Sequence, residues 1–346
     1  MNTMIKHIVS VAVVAVVCGS NAFASRARVN VMGTADAANT LPAGTSIYID
    51  DYRNMFYNPA LVNTHKNWAA IEASNGSAAT ASEGGFSNSI ASINYAVFMN
   101  RNGGVVGNYA TAPTRPIDII VGGDMGVKWG LGLTMAGNRV SETVESNEMV
   151  AKAGVEVAGV NIFAGFMLAG SDKQSATVTN KNGGMNFGAT MKMGEWMPFL
   201  TYASTNATPQ GGTSTTQNAG FNLGMGRNTK FDQVKFNYSV GISRIMRTGG
   251  AATNRNMIPI NMSAETDVAS WMAVRAGLGY NLWDRTNNVT NAGQATGSIG
   301  ASFLFGKATT FDWAVGYAGG GIVSPANTGI DLANNFFSQA SLNYRW

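Results

Sequence analysis

Few side chains in this sequence could carry out acid–base or nucleophilic chemistry. The chain has two histidines, His7 and His65, and a single cysteine, Cys18. Hydrolases built on a serine or on an activated water need a histidine base that a partner residue holds in place. His65 lies in the segment Asn-Thr-His-Lys-Asn, which supplies no such strand-anchored partner. The sequence therefore predicts that this protein is not an enzyme.

Metal ligands are equally sparse. Clusters of cysteine and histidine, which structural and catalytic zinc sites require, are absent. Asp50 and Asp51 are adjacent and could join loop oxygens in a calcium site. The alternative, which the sequence favours, is that these acids pair with Arg53 or Lys66. We expect no metal and no cofactor.

The first 24 residues predict a secretory signal peptide. They combine a basic start at Lys6, an apolar core at residues 8–17 and the triplet Ala22-Phe23-Ala24, which favours cleavage after Ala24. The apolar core is too short to remain as a membrane-spanning helix. Cys18 follows a valine where lipoprotein signals have a small residue, so lipidation is not favoured. The predicted mature chain contains no cysteine and therefore no disulfide.

The composition of the remaining chain is unusual for a soluble protein. Charged residues make up only 12% of the sequence, glycine occurs 42 times and mean hydropathy is +0.01. No stretch after residue 24 has eighteen consecutive apolar residues, so helical membrane spans are not predicted. The net charge of +4, which becomes +3 without Lys6, comes from scattered basic residues. We therefore expect no nucleic-acid partner.

Apolar and polar residues alternate along many short segments. The clearest are residues 127–135, 185–193, 234–242 and 311–317. A period of two places successive side chains on opposite faces of a β-sheet. A soluble sandwich would bury the apolar face, whereas a membrane barrel would turn it to lipid and its polar face to the lumen.

The lengths of the connections favour the barrel. Long polar loops alternate with tight turns, as in outer-membrane barrels with short periplasmic turns and long external loops. The predicted turns are Gly122–Asp124, Ala158–Gly159, Gly194–Glu195, Arg227–Lys230, Glu265–Asp267 and Gly306–Ala308. The predicted loops are Ala136–Glu148, Gly170–Gly184, Asn206–Asn218, Arg247–Asn256, Asn281–Gln294 and Gly319–Asn335. The segments between them have about the ten residues that a tilted spanning strand needs.

We therefore predict an all-β fold, an antiparallel transmembrane β-barrel of about 14 strands in the bacterial outer membrane. This count begins at a strand near Ser89–Met99. Sixteen strands is the alternative, if Asn67–Ser74 is a wall strand and pairs with another early strand. The predicted divisions are a signal peptide (1–24), an N-terminal plug or collar (25–87) and the barrel (88–346).

The end of the chain also fits an outer-membrane barrel. Leu342, Tyr344 and Trp346 alternate in a final strand that stops on an aromatic residue. This ending resembles the carboxy-terminal strand that the outer-membrane assembly machinery recognises. Trp196, Tyr280 and Tyr317, at predicted strand ends, suit the aromatic girdles at the two membrane interfaces.

Charged residues on the polar strand faces are the candidates for lumen lining. A slight basic surplus favours a water-filled passage with weak anion preference. The alternative is that these residues pair with one another and with a plug, which leaves no through-path. The predicted lining residues are Lys128, Lys152, Lys192, Lys235, Arg275, Asp118, Glu156 and Asp312.

The stretch IYIDDYRNMFYNPALV, residues 47–62, differs in character from the strands that follow. Asn58 is predicted to cap a short helix that begins at Pro59 and Ala60. Apolar residues of this stretch must pack on the barrel interior or on another subunit. The predicted plug motif comprises Asp50, Asp51, Arg53, Asn58, Pro59 and Ala60.

Residues 48–60, followed by alternating strands and a terminal aromatic, resemble two groups of outer-membrane proteins. One is the FadL-type transporters for hydrophobic compounds, which share an Asn-Pro-Ala motif in an N-terminal hatch. The other is the porin-like major outer-membrane protein of predatory, Bdellovibrio-type bacteria. The second resemblance implies a homo-oligomer that encloses lipid and conducts poorly.

Three functions remain open at this stage. The first is porin-like passive passage of small polar solutes through the lumen. The second is a structural, lipid-enclosing oligomer with little or no conductance. The third, a FadL-like channel for hydrophobic ligands, would require an apolar pocket that the polar lumen face disfavours. Expected partners are outer-membrane lipid, the outer-membrane assembly machinery and further copies of the chain.

Overall fold

The computed structural model describes residues 25–74, 82–101, 109, 113–175, 178–209, 216–249, 252–291, 295–317 and 336–346. The predicted signal peptide, residues 1–24, lies outside the described residues, as does the predicted loop Gly319–Asn335. Among the described residues, no helix is both long enough and apolar enough to cross a membrane.

Antiparallel β-strands dominate the fold. In chain order they are β1 (Trp68–Ser74), β2 (Glu83–Ile90), β3 (Ile93–Met99), β4 (Thr114–Asp124), β5 (Lys128–Ser141), β6 (Val144–Val157), β7 (Val160–Lys173), β8 (Thr179–Met191), β9 (Trp196–Pro209), β10 (Thr216–Phe231), β11 (Val234–Thr248), β12 (Thr253–Ala269), β13 (Met272–Thr286), β14 (Val289–Thr290), β15 (Ala295–Phe305), β16 (Thr309–Tyr317) and β17 (Phe336–Arg345).

These strands form one closed sheet. Each wall strand pairs with the next along the chain, and β1 pairs with both β2 and β17, which closes the ring. The two-residue strand β14 pairs with β13 and only extends that hairpin, while β13 also pairs with β15. Within the described residues the wall therefore has sixteen strands. Closure leaves no sheet edge exposed to lipid, where unpaired backbone groups are costly.

The predicted count of fourteen strands is wrong, and the alternative of sixteen is confirmed. The segment Ser89–Met99, predicted as one strand, is divided by a turn in which Ala91 has a φ of 55°. Consequently β2 ends at Ile90 and β3 begins at Ile93, and β1 and β2 add two strands to the wall. The wall thus starts at Trp68, before the predicted boundary at residue 88.

The two faces of the wall differ as the alternating pattern predicts. Large apolar side chains point outward along the strands and stay exposed, for example Leu131, Ile242, Leu278 and Ile299. Inward positions carry buried serine, threonine, asparagine, glycine and a few charged residues. An outward apolar band and a polar interior are the arrangement that a lipid bilayer requires of a barrel.

One end of the barrel, which we call the turn end, carries the short connections 91–92, 125–127, 158–159, 192–195, 232–233, 270–271 and 306–308. The predicted turns at Gly122–Asp124, Arg227–Lys230 and Glu265–Asp267 are wrong, because β4, β10 and β12 continue to Asp124, Phe231 and Ala269. The last two stretches carry charged residues, but Glu265 is paired inside the barrel and therefore does not end the strand.

At the opposite end, the loop end, strands are longer than predicted. The predicted loop Ala136–Glu148 is largely a two-stranded ribbon, in which β5 and β6 stay paired to Ser141 and Val144. Polar strands beyond the lipid can keep pairing because each backbone group still finds its cross-strand partner.

Residues 25–64 precede the wall, and we call them the inner segment. The segment contains α1 (Arg26–Met32) and two 3₁₀ helices, η1 (Tyr52–Phe56) and η2 (Pro59–Asn63). The side chain of Asn58 accepts a hydrogen bond from the backbone N–H of Ala60, and Pro59 begins η2, which confirms the predicted cap. Ser25 and Asp51 cap α1 and η1 in the same way.

Candidate functional site

The inner segment contacts the inward face of the wall in three places. Helix α1 packs on β12, β13, β15, β16 and β17, and η2 packs on β3, β4, β5 and β6. Between the helices, Ala38 and Thr40 hydrogen-bond to Asn222 on β10. These three regions are spread around the circumference, so the inner segment spans the interior instead of lining one side.

The wall is shaped to receive the backbone of the segment. A Cβ atom added to Gly277 on β13 would overlap the carbonyl oxygen of Val31, and one added to Gly130 on β5 would overlap the backbone of Pro59. Only glycine permits this approach. Some of the glycine residues on the polar face therefore make room for the inner segment.

Apolar packing supports the same interface. Met55, Phe56 and Val62 are fully buried and form one cluster with Trp68 and Phe98 of the wall. The ring of Phe56 lies edge-on to that of Phe98, with centroids 5.0 Å apart. Burial of this kind contributes about 1.5–3 kcal/mol for each large side chain.

Arg53 is the centre of a buried ionic cluster. Its Nη1 donates to carboxylate oxygens of Glu72 on β1 and, at 2.9 Å, of Glu83 on β2. Glu72 and Glu83 lie directly opposite each other across the two strands. Tyr52 donates its hydroxyl to Glu72 at 2.5 Å, and Arg26 lies 3.4 Å from Glu83.

Burial is nearly complete in this cluster. The side chains of Arg53 and both glutamates are at most 2% exposed. Burial by itself would lower the pKa of Arg53, but the negative charges of Glu72 and Glu83 outweigh burial and raise the pKa. Arg53 therefore stays charged, and it ties the inner segment to the first hairpin of the wall.

A second ionic cluster lies beneath α1. Arg28 donates from Nε and Nη2 to the two oxygens of Glu265 at 2.9 and 3.2 Å. Glu265 is also 3.2 Å from Arg275, which in turn is 3.2 Å from Asp312. Burial opposes the charge on Arg28, but the carboxylate of Glu265 raises the pKa of Arg28 overall.

A third cluster lies within the wall beside Phe56. Arg101 holds both oxygens of Asp118 at 2.8 and 2.9 Å, and Thr134 donates to the same carboxylate. Lys152 is 3.4 Å from Asp118. The guanidinium of Arg101 also lies 4.5 Å from the ring centroid of Phe56, a cation–π contact with the inner segment.

The predicted lumen residues are mostly inward, but most of them are paired. Asp118, Lys152, Arg275 and Asp312 are buried in the clusters just described. Lys128 binds Glu156 at 3.0 Å and also donates to Thr64 of the inner segment. Lys235 is 44% exposed and 3.9 Å from Glu265. The exception is Lys192, which is exposed in the turn after β8 and does not belong to a wall strand.

The acids of the plug motif do not have the predicted partners. Asp50 is exposed and bonds His65 at 3.0 Å, and Asp51 accepts from the backbone N–H of Arg53. The predicted pairing of these acids with the Arg53 guanidinium or with Lys66 is wrong, because Glu72 and Glu83 occupy that guanidinium. Pro59 and Ala60 are buried against the wall.

Other predicted features have clear positions. Leu342, Tyr344 and Trp346 are about half exposed, and Leu342 and Tyr344 lie on the outward face of β17. Within the described residues, no group of three acidic, histidine or cysteine side chains could hold a metal ion. Sequence reasoning did not identify Arg28 and Arg101, because isolated arginines carry no spacing pattern that indicates a buried partner.

Comparison with known proteins gives no close relative. No protein-family model and no curated protein matches the sequence. The OmpT outer-membrane protein of Vibrio cholerae is 12% identical with a TM-score of 0.47, over 81% of this chain and 95% of that one. CdiB from Acinetobacter baumannii is 9% identical with a TM-score of 0.48, over 81% of this chain and 60% of that one. An anion-selective porin from Comamonas acidovorans is 11% identical with a TM-score of 0.39, over 81% of this chain and 98% of that one.

Likenesses this distant carry no argument about activity. The geometry of the wall is the firmer guide: a sixteen-stranded ring, closed without an edge, with an apolar band outside and polar residues inside. This chain is a β-barrel protein of the bacterial outer membrane.

Proposed function

We propose that this protein is a porin-like outer-membrane barrel whose passage is closed by its own inner segment. Residues 25–64 would act as a plug, and small polar solutes would cross only when the plug leaves its docked position. One observation carries the proposal: the inner segment bonds to wall strands on all sides of the interior and buries the charged residues that would otherwise line a pore.

The pairing of those charges favours a closed interior rather than an open, water-filled lumen. In an open water-filled passage, inward lysines and arginines face water and act on passing ions. Here Arg275 and Lys152 are at most 7% exposed and bonded to carboxylates. Each pair would be hydrated, and therefore weakened, if water filled the interior.

A structural, lipid-enclosing role is the second candidate. The same docked segment favours it, since a permanently closed barrel would not conduct. Homo-oligomerisation and enclosed lipid come from the resemblance of residues 47–62 to the major outer-membrane protein of Bdellovibrio-type predators. Cross-linking in native membranes, followed by lipid extraction from the isolated assembly, would test both properties. A FadL-like route is less favoured, because the described inward face is polar.

Conductance in planar bilayers tests the closure directly. We expect the intact protein to remain closed for most of the recording and a variant without residues 25–66 to conduct steadily. Steady conductance from the intact protein would contradict the proposal. Silence from both proteins, with insertion confirmed, would favour the structural role.

A disulfide can hold the plug in place for the same measurement. A Cβ on Gly220 of β10 would lie 3.4 Å from the Cβ of Ala38, close to the spacing that a disulfide bridges, but only 2.6 Å from the carbonyl oxygen of Ala38, so the bond requires a small shift of that carbonyl. The chain has no cysteine after Cys18, so the variant A38C/G220C can form only this bond in the mature protein. Any openings of the reduced variant should disappear on oxidation. The single variant G220C measures what the displaced carbonyl does by itself, and A38C controls for the free thiol.

A further inference from the structure

One row of outward side chains near the loop end carries two arginines. Cross-strand pairing places the members of this arginine row directly opposite one another: Arg244 on β11, Asn256 on β12, Arg285 on β13 and Thr290 on β14. The residues that precede the two arginines in the chain, Ser243 and Asp284, are buried in the interior. Successive side chains alternate between the two faces of a strand, so both arginines point outward, where they are exposed.

The arginine row marks the edge of the apolar band on the side of the loop end. On β11 the outward positions that lead up to it, such as Val240 and Ile242, are apolar and exposed. On β13 the corresponding positions include Leu278, Tyr280 and Trp283. Tryptophan and tyrosine favour the membrane interface, so the row lies at the depth of the lipid headgroups.

No acidic residue of these strands offsets the charge of the row. Residues 233–264 contain no acid, and residues 268–294 contain only Asp284. The carboxylate of Asp284 lies on the inward face, where it binds Arg255. Neither arginine of the row forms an ion pair with another residue that the structure describes. The wall therefore presents two uncompensated positive charges at its boundary with lipid.

Another outward charged row at the loop end differs in this respect. There Glu145 on β6 lies directly opposite both Arg139 on β5 and Lys173 on β7. A carboxylate between two cations offsets part of their charge. In the arginine row the neutral amide of Asn256 holds the equivalent place, so an anion between the two arginines must come from outside the chain.

The two guanidinium groups are placed to share one ligand. Neighbouring strands are 4.7–4.9 Å apart, so the Cα atoms of Arg244 and Arg285, two strands apart, are separated by about 10 Å. Nε of Arg244 donates to Oδ1 of Asn254 at 3.1 Å, and Asn254 lies nearer the loop end than Asn256. This bond directs the side chain of Arg244 away from the apolar band and leaves its two terminal nitrogens for a ligand. Guanidinium groups bind phosphate through such paired N–H donors.

We propose that the arginine row binds the phosphate group of an anionic lipid in the external leaflet of the outer membrane. The loop end faces that leaflet, because outer-membrane barrels carry their longer loops outside the cell. The acyl chains of the same lipid lie against the apolar band beside Ile242 and Leu278. A lipid is favoured over a soluble anion because the row continues directly into this apolar surface. The site is on the outside of the wall, so it is independent of whether the lumen conducts.

Binding of a defined lipid to the intact protein, purified from outer membranes in neutral detergent, tests the proposal. Native mass spectrometry measures the affinity for phosphatidic acid and for a diacylglycerol with the same acyl chains, which differs only in lacking the phosphate. We expect phosphatidic acid to bind at least about tenfold more tightly, since charge-assisted bonds form only with the phosphate. Equal affinities would overturn the proposal.

Variants locate the site on the wall. R244Q/R285Q should weaken binding of phosphatidic acid at least about tenfold. The matched control R139Q/K173Q removes two cations from the other row, farther away than the Debye length of about 10 Å, and should change the affinity less than about threefold. Equal losses in the two variants, or no loss in R244Q/R285Q, would refute the site. R244K/R285K keeps the charges without the paired donors and should bind with intermediate affinity.

Two further measurements separate a lipid from other occupants. Inorganic phosphate at the concentration of the lipid should not displace phosphatidic acid, and displacement would identify a site for soluble anions instead. The native mass of R244Q/R285Q should equal that of wild type, whereas loss of an oligomer would assign the row to contact between copies of the chain. Either contrary result would overturn the proposal. Bilayer conductance, recorded separately, tests the plug and should be the same in R244Q/R285Q as in wild type.

Discussion

Replacement of Arg53 by alanine should release the inner segment from the barrel. Arg53 is fully buried and bonded to Glu72, Glu83 and the carbonyl oxygen of Gly44. In the docked state of R53A, Glu72 and Glu83 would remain opposite each other with Arg26 as the one guanidinium beside them. Loss of one partner from a buried ionic cluster typically costs about 3–5 kcal/mol. At ~1.4 kcal/mol for each power of ten, the equilibrium between docked and released segment shifts by roughly 10²–10³·⁵-fold.

Chymotrypsin provides the assay, because the segment between residues 48 and 57 carries four aromatic cleavage sites. When opening is fast relative to cleavage, the rate of cutting follows the population of the released state. We therefore expect R53A to be cut at least about a hundredfold faster within residues 48–57. Circular dichroism should show the β-signal of the wall unchanged.

An exposed arginine supplies the matched control. Arg227 pairs with Glu195 at the turn end at 2.9 Å, but both side chains are at least 40% exposed. Exposed pairs of this kind contribute little to stability, so R227A should be cut at nearly the wild-type rate. Cutting rates of R53A and R227A within threefold of each other would refute the role of the buried cluster. The double variant R53M/E72Q, which leaves Glu83 with Arg26, should recover part of the loss.

Three further predictions address other parts of the interface. G277A places a methyl group on the carbonyl of Val31 and should weaken docking of α1 by about 1–3 kcal/mol, measured as faster chymotrypsin cutting within residues 48–57. G297A on the outward face, where the nearest contact is 3.7 Å away, should leave the cutting rate unchanged. In the form without residues 25–66, K152Q should shift the reversal potential towards cation selectivity, and an unchanged potential would exclude Lys152 from the ion path. The hydrogen bond from His65 lowers the pKa of the exposed Asp50, so the stability that Asp50 contributes is present above the unfolded pKa of about 3.9 and is lost as the pH falls through the lower folded pKa. D50A should cost less than about 1 kcal/mol at pH 7, and the difference from wild type in the rate of proteolysis should shrink below pH 4, where pepsin replaces chymotrypsin.

The sequence predicts the wall well where the outward face is strongly apolar. Strands such as β5 and β11 alternate large apolar and small polar residues, and lipid on one side makes that pattern obligatory. The sequence predicts β1, as Asn67–Ser74, only in the alternative of sixteen strands, and it misses β2 as a separate strand, because outward positions such as Ala69, Ala73 and Gly84 carry little apolar character. Their inward positions, moreover, serve the inner segment and therefore hold Trp68 and Glu72, residues atypical of a lumen face.

The interior contacts were harder to predict than the strands. The sequence correctly identified Asn58 as a cap and Pro59 as the start of a helix, since both are local effects of the backbone. The partners of Arg53 could not be found in this way, because Glu83 is thirty residues away. Long-range ionic pairs depend on how the closed ring places the strands, and no local pattern encodes that placement.

The two variants differ in whether water reaches Glu72 and Glu83 inside the barrel. In R53A the docked segment still excludes water, so Glu72 and Glu83 stay desolvated and their repulsion is strong. Deletion of residues 25–66 removes the segment altogether, and water then reaches the same carboxylates and hydrates them. We therefore expect deletion of residues 25–66 to cost the wall little stability, whereas R53A costs the docked state of the inner segment a great deal. Conductance of the form without residues 25–66 therefore measures how wide the lumen is, whereas the cutting rate of R53A measures how strongly the inner segment is held in the docked state.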